Sequence, residues 1–124
     1  MPKKIFIIAG EASGDLHGKN LVKALFRMKT DLAIAGYGGQ QMEEAGAKIL
    51  RRYEPFAFMG FIEVAKNLRT ILENIKTTEK IILDYKPDGI IFIDFPGFNL
   101  RIAKRLRKKL PACKFIYYIA PQVW

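Results

Sequence analysis

Cysteine, histidine and tryptophan each occur once in this chain of 124 residues. A single cysteine, Cys113, excludes an intramolecular disulfide and fits a reducing compartment. One histidine, His17, and one cysteine are too few for a dedicated zinc site. Long hydrophobic runs are missing as well. No window approaches the roughly 20 uncharged residues of a membrane-spanning helix. The apolar stretch Ile5-Phe6-Ile7-Ile8 is too short for a secretory signal, and Glu11 and Asp15 follow it closely. Acidic residues are scarce: 12 Asp and Glu stand against 21 Lys and Arg, a formal net charge of +9. That excess draws polyanions, whether nucleic acid, phosphorylated ligands or an anionic membrane face, and composition does not choose among them.

What the chain has is enough to build one core. Its length matches a single domain, and 50% hydrophobic with 27% charged residues excludes disorder. The hydrophobic period switches repeatedly. Lys4 to Ala9 reads as a buried strand ending at Gly10, and Asp15 to Met28 as a helix with Leu21, Val22, Leu25 and Met28 on one face. Leu32 to Ala35 reads as a strand closed by Gly36. A brief helical piece follows from Gly38-Gly39 to Glu43-Glu44, and Ala47 to Leu50 is a candidate third strand. The longest helical pattern runs from Glu63 to about Tyr85, stopped by the turn chemistry of Lys86-Pro87-Asp88-Gly89. Gly89 to Ile93 is a fully apolar central strand. Phe98 to Leu110 is a basic helix with Ile102, Ala103, Leu106 and Leu110 inward, and Lys114 to Ile119 is the last strand.

Strands alternating with helices imply βαβ units, and near-continuous apolar strands imply a parallel sheet covered on both faces. The expected fold class is therefore α/β, a Rossmann-like doubly wound parallel sheet. Such a domain normally continues past a final strand, so residues 1–124 are expected to be a single but truncated domain.

In an open parallel sheet, ligands bind beyond the carboxyl ends of the strands. Turn-forming and small residues collect there: Gly10-Glu11-Ala12-Ser13-Gly14-Asp15, Gly36-Tyr37-Gly38-Gly39, Asp94 to Asn99, and Ala120 to Trp124. Backbone N–H groups of a glycine-rich loop opening a helix attract phosphate or carboxylate. Yet glycines at 10, 14 and 18 match neither a Walker loop nor G-x-G-x-x-G. Shape alone favours a tight strand-to-helix turn with Ser13 or Asp15 as N-cap.

Asp94 is the sharpest single residue. It ends the uncharged run Gly89 to Ile93, where partial desolvation makes a carboxylate more basic and able to take a proton from a hydroxyl nucleophile. An Asx turn, or a cap for the helix near Asn99, explains its position equally well. His17 reads as a helix-surface residue. The basic helix carries Arg101, Lys104, Arg105, Arg107, Lys108 and Lys109 with no acid. Charge runs of this kind are commonly solvated faces. No aromatics interleave with it between Phe98 and Phe115, which argues against nucleic acid. The stripe Ile62, Val64, Leu68, Ile71, Leu72 and Ile75 has core spacing. Phe56, Phe58, Met59 and Phe61 before it suggest an exposed patch or greasy pocket, and with Lys66, Arg69 and Lys76 alongside, a lipid-facing element.

Five motifs stand in order: Gly10-Glu11-Ala12-Ser13-Gly14-Asp15; Gly38-Gly39-x-x-Met42; Met59-Gly60-x-x-Glu63-Val64; Asp94-x-Pro96-x-Phe98-Asn99; and Tyr118-x-x-Pro121-x-Val123-Trp124. Together they closely resemble the N-terminal part of the lipid-A-disaccharide synthase family of bacterial glycosyltransferases. That family usually has serines flanking the closing proline, where this chain has Ala120 and Gln122, so no hydroxyl role is carried to that loop.

The resemblance implies a GT-B architecture. Its N-terminal domain meets a lipid acceptor, and a C-terminal UDP-sugar domain lies outside this chain. The reaction it implies joins UDP-2,3-diacylglucosamine to 2,3-diacylglucosamine 1-phosphate with inversion and without metal or other cofactor, so this piece alone would not turn over. By match to the family, Asp94 is the catalytic base. Gly10, Glu11, Ser13, Gly14, Asp15, Met59, Gly60, Glu63, Phe98, Asn99 and Pro121 are substrate-binding. Phe61, Ile62, Val64, Leu68, Ile71 and Leu72 contact membrane or acyl chains. The implied partners are the diacylated glucosamine phosphate and an anionic phospholipid surface, with no nucleic acid. The implied location is cytoplasmic, peripheral on the inner face of the bacterial inner membrane. Two other readings stay open: a non-enzymatic binding domain for a phosphorylated ligand or nucleic acid, and a different sugar-nucleotide enzyme sharing this half-fold.

Overall fold

The computed structural model describes residues 3–10, 12–29, 31–52, 68–93 and 96–118. In chain order these form β1 (Lys3–Ala9), α1 (Ala12–Met28), β2 (Leu32–Gly38), α2 (Gln40–Glu44), β3 (Lys48–Arg52), α3 (Leu68–Tyr85), β4 (Gly89–Ile93), α4 (Pro96–Arg107) and β5 (Lys114–Tyr118). The strands make one five-stranded sheet in the order β3-β2-β1-β4-β5, and every neighbouring pair is parallel. This is the doubly wound α/β arrangement expected from the alternating pattern.

Successive side chains of a strand point to opposite faces, so a strand apolar throughout feeds two cores. On one face Phe6, Ile8, Ile90 and Phe92 meet Ile75 and Ile82 of α3 and Phe98, Ile102 and Leu106 of α4. On the other, Ile7, Ala9, Ile34, Ile91 and Ile93 meet Val22 of α1 and Met42 of α2. Tyr37 is wholly buried in the first core, where its hydroxyl lies 2.8 Å from the Thr78 hydroxyl. That partner offsets the cost of burying a phenol oxygen. Gly36 is required by close approach: a Cβ there would collide with the Ile7 carbonyl on the adjacent strand.

Several expected boundaries shift. Helix α1 opens at Ala12, three residues early, so Ser13 and Asp15 lie inside it and neither stands at its N-cap. Met28, expected inward, is 82% exposed as the last residue of α1. Helix α4 spans Pro96–Arg107 and stops before Pro111, leaving Leu110 half-buried in the turn that follows. Helix α3 ends without glycine: Lys86 takes the left-handed conformation, φ 56°, its N–H bonded to the Ile82 carbonyl. No helix among the described residues is long and apolar enough to cross a membrane.

One polar clamp joins α3 to α4. Glu79 is buried, and its carboxylate accepts from Lys109 Nζ at 2.6 Å and from Arg105 Nη2 at 3.0 Å. The Lys109 bond holds this carboxyl below the usual glutamate range, against burial, which pushes it up; Arg105 adds to the lowering. A carboxyl whose folded pKa is depressed contributes stability above its unfolded pKa, about 4.3, and loses it as pH falls through the folded value. We therefore expect stability to drop below about pH 4. Glu79→Gln should be less stable at neutral pH by about 1–3 kcal/mol, a range reduced because both cations are partly solvated. It should also show a shallower acid dependence. Urea unfolding of both proteins across this range checks it, and parallel pH profiles would contradict the clamp.

Candidate functional site

The sheet order reverses direction at β1, whose neighbours are β2 on one side and β4 on the other. The carboxyl ends of β1 and β4 thus mark the topological switch point, where open α/β sheets take their ligands. Register brings the two strand ends level: Ala9 pairs with Ile93. Gly10 follows the first and Asp94 the second in sequence, so the glycine-rich loop and the strand that leads to Asp94 share one end of the sheet.

Gly10 and Gly14 are buried there. A Cβ on Gly14 would lie 3.2 Å from Ala9 Cβ and 3.6 Å from Ile93 Cγ2, so α1 sits tightly on the ends of β1 and β4. Phe98 and Asn99 are buried in the first turns of α4, and Phe98 belongs to the core. Leu72 is 44% exposed on α3, whereas Ile75, one turn on, is in the core. His17 is exposed on α1, as expected. Ser13 is in the first turn of α1. Leu68 and Ile71 lie on α3. Asp94, Glu11, Met59, Gly60, Phe61, Ile62, Glu63, Val64 and Pro121 lie outside the described residues.

Asp15 has a definite task. Its side chain is buried and reaches across to α2, where Oδ1 accepts from the Gly39 N–H at 2.8 Å and the Met42 N–H at 3.0 Å, and Oδ2 from the Gln41 N–H at 3.1 Å. Helix α2 has five residues, and its N-cap, Gly39, has no side chain to satisfy the opening amides. A carboxylate from α1 does so instead, with a charge that also suits the positive end of a helix. Asp15 therefore caps a helix other than its own.

Packing completes this joint. A Cβ on Gly18 would lie 2.5 Å from Met42 Sδ, and one on Gly38 would approach the same sulfur even more closely. Met42, fully buried, fills the space these glycines leave. The first two motifs in the sequence thus form one interlocked unit. The carboxylate cap and the methionine plug were not evident from the chain. The available signal was a helix start at Gly38-Gly39 that lacked any capping side chain of its own.

This geometry defines a class first: a doubly wound parallel α/β domain whose first helix is locked to the next by a buried carboxylate. Its particular family follows from relatives. The family model for lipid-A-disaccharide synthetase matches residues 5–124, and the chain belongs to that family. It is 38% identical over 122 residues to the lipid-A-disaccharide synthase of Coxiella burnetii (strain Dugway 5J108-111), covering 98% of this chain and 32% of that one. It is 44% identical over 123 residues to that of Rickettsia bellii, again covering 98% and 32%. The chain thus spans about a third of the length of these relatives. A crystal structure of a glycosyltransferase from Rickettsia africae ESF-5 superposes with a TM-score of 0.59 at 17% identity, over 98% of this chain and 32% of that one, a likeness of fold.

The cap gives a direct prediction. Asp15→Ala leaves three amides without their acceptor in a buried place and should cost about 2–4 kcal/mol of stability. Urea unfolding measures it. A variant as stable as the parent would show that water serves those amides equally well.

Proposed function

We propose that this chain supplies the acceptor-binding side of an inverting glycosyltransferase of lipid A biosynthesis. The observation that carries the reading is the family match over residues 5–124, in a chain whose sheet puts the loop after β1 and the sequence leading to Asp94 at one switch point. The donor is UDP-2,3-diacylglucosamine, and the acceptor is 2,3-diacylglucosamine 1-phosphate. The UDP-sugar site resides in a second Rossmann-like domain outside these 124 residues, so the segment alone does not turn over.

Asp94 is the general base. It takes the proton of the attacking acceptor hydroxyl as that oxygen bonds to the donor's anomeric carbon and the bond to UDP breaks. UDP leaves as a stable anion, so no protonating acid is required of this domain. Neither a metal nor another cofactor enters the reaction. Gly10, Glu11, Ser13, Gly14 and Asp15 contribute to substrate binding, and the Asp15 carboxylate also holds α1 to α2. The segment from Phe61 to Leu72 meets the acyl chains at the membrane, and the protein works as a peripheral enzyme on the cytoplasmic face.

A chimera tests this. Residues 1–124 replace the matching third of the Coxiella burnetii synthase, and UDP release is measured with the diacylated acceptor. The chimera should transfer sugar, and Asp94→Asn within it should lower turnover by roughly a hundredfold or more. Turnover near that of the unsubstituted chimera would remove Asp94 from the base role.

A further inference from the structure

The carboxylate that caps α2 lies one residue beyond Gly14, which packs against Ala9 and Ile93 at the ends of β1 and β4. The opening of α1 is therefore fixed on two sides. The sheet side has no slack, because a Cβ at Gly14 would already stand 3.2 Å from Ala9 Cβ. On the α2 side the hold is both directional and close-packed. Three amides bonded to the two carboxylate oxygens set the distance and rotation of α1 against the turn after β2, and Met42 fills the space between Gly18 and Gly38. Successive helical residues are joined by one hydrogen-bonded backbone, so a shift at Asp15 passes directly to Ser13 and Gly14.

Capping alone needs none of this. The backbone of Gly39 is extended, with φ −134° and ψ −160°, a conformation in which a serine or asparagine caps a helix from its own N-cap position. Capping from the neighbouring helix requires instead that a carboxylate be buried, which is tolerable only while its donors stay in place. What the distant cap adds is a fixed relation between two segments 24 to 27 residues apart, both at the carboxyl end of the sheet.

We propose that Asp15 is a positioning residue for sugar transfer. With Met42 it sets where the turn from Gly10 to Gly14 stands against the acceptor, and its contribution to substrate binding is made through that turn and not by contact. Both of its oxygens are engaged by backbone amides, and the residue is 3% exposed, which leaves little of it for a ligand. A displacement of about 1 Å in a group that orients substrate can cost about a hundredfold in rate. The inference rests on the acceptor-side reading given above, and its test has one arm that does not use sugar transfer.

The first arm uses the chimera described above. Asp15→Asn keeps the shape of the side chain but turns an N–H₂ group toward one of the amides, which loosens the tether. The KM for 2,3-diacylglucosamine 1-phosphate should rise about tenfold, while that for the UDP-sugar stays within about twofold of the parent. Glu79→Gln, which weakens the same domain at the α3–α4 clamp, should leave both values unchanged, because a smaller folded fraction lowers kcat alone. Unchanged KM values in Asp15→Asn would reduce Asp15 to a structural cap and overturn the proposal. So would an equal rise in Glu79→Gln.

The second arm follows hydrogen exchange in the 124-residue chain and in its Asp15→Asn variant, at His17 and Gly18 of α1 and at Gly39 and Met42. Exchange should quicken about tenfold or more at both ends of the tether, beyond any change at the central amides of β4, which report global unfolding. Faster exchange at Gly39 and Met42 alone would mean that α1 keeps its place without the carboxylate, and would overturn the proposal. An inactive parent chimera with coupled exchange would support the tether and count against the acceptor-side reading.

Discussion

The carboxylate of Asp15 is the constraint on which the upper end of this domain depends. A helix of five residues cannot hold itself, because most of its amides lack intrahelical acceptors. One buried carboxylate accepts three of them and so ties α2 to α1. The Met42 side chain, seated where Gly18 and Gly38 leave room, fixes the same joint by packing. The start of α1 and the turn after β2 are thus held together by one polar and one apolar contact.

Beneath that joint the sheet does the positioning. Parallel strands in the order β3-β2-β1-β4-β5 bring the ends of β1 and β4 side by side, level at Ala9 and Ile93. The chain segments that follow these two strands therefore start from the same end of the sheet. Charge is arranged with similar economy. The segment 96–110 has six cations and no acid. Arg105 and Lys109 bind Glu79 of α3, and Arg107 lies over the Phe115 ring.

Much of this was legible in the chain. Buried parallel strands announce themselves as short apolar runs, which is why β1 and β4 and the doubly wound class were readable before any coordinates. Gly38-Gly39 and Gly46 bracketed α2 closely. Roles that depend on distant partners were not readable. Asp15 looks like the N-cap of the helix it sits in, and only the tertiary fold carries its carboxylate to residues 24 to 27 positions away. Glu79 carries no sign in sequence that it will receive two cations, Arg105 of α4 and Lys109 of the turn that follows. The basic helix read as one solvated face, but packing against α3 divides it. Asp94 lies outside the described residues, and the base role proposed for it rests on the family resemblance.

The account's central claim is that the Asp15 carboxylate, and not solvent, holds the first turn of α2. Native-state hydrogen exchange at the amides of Gly39, Gln41 and Met42 tests it most directly. The account predicts that the Gly39 and Met42 amides, bonded to the buried oxygen, exchange only through large-scale opening, with protection close to that of the central strand amides of β1. Exchange at the rate of an exposed loop, with β1 still protected, would contradict it.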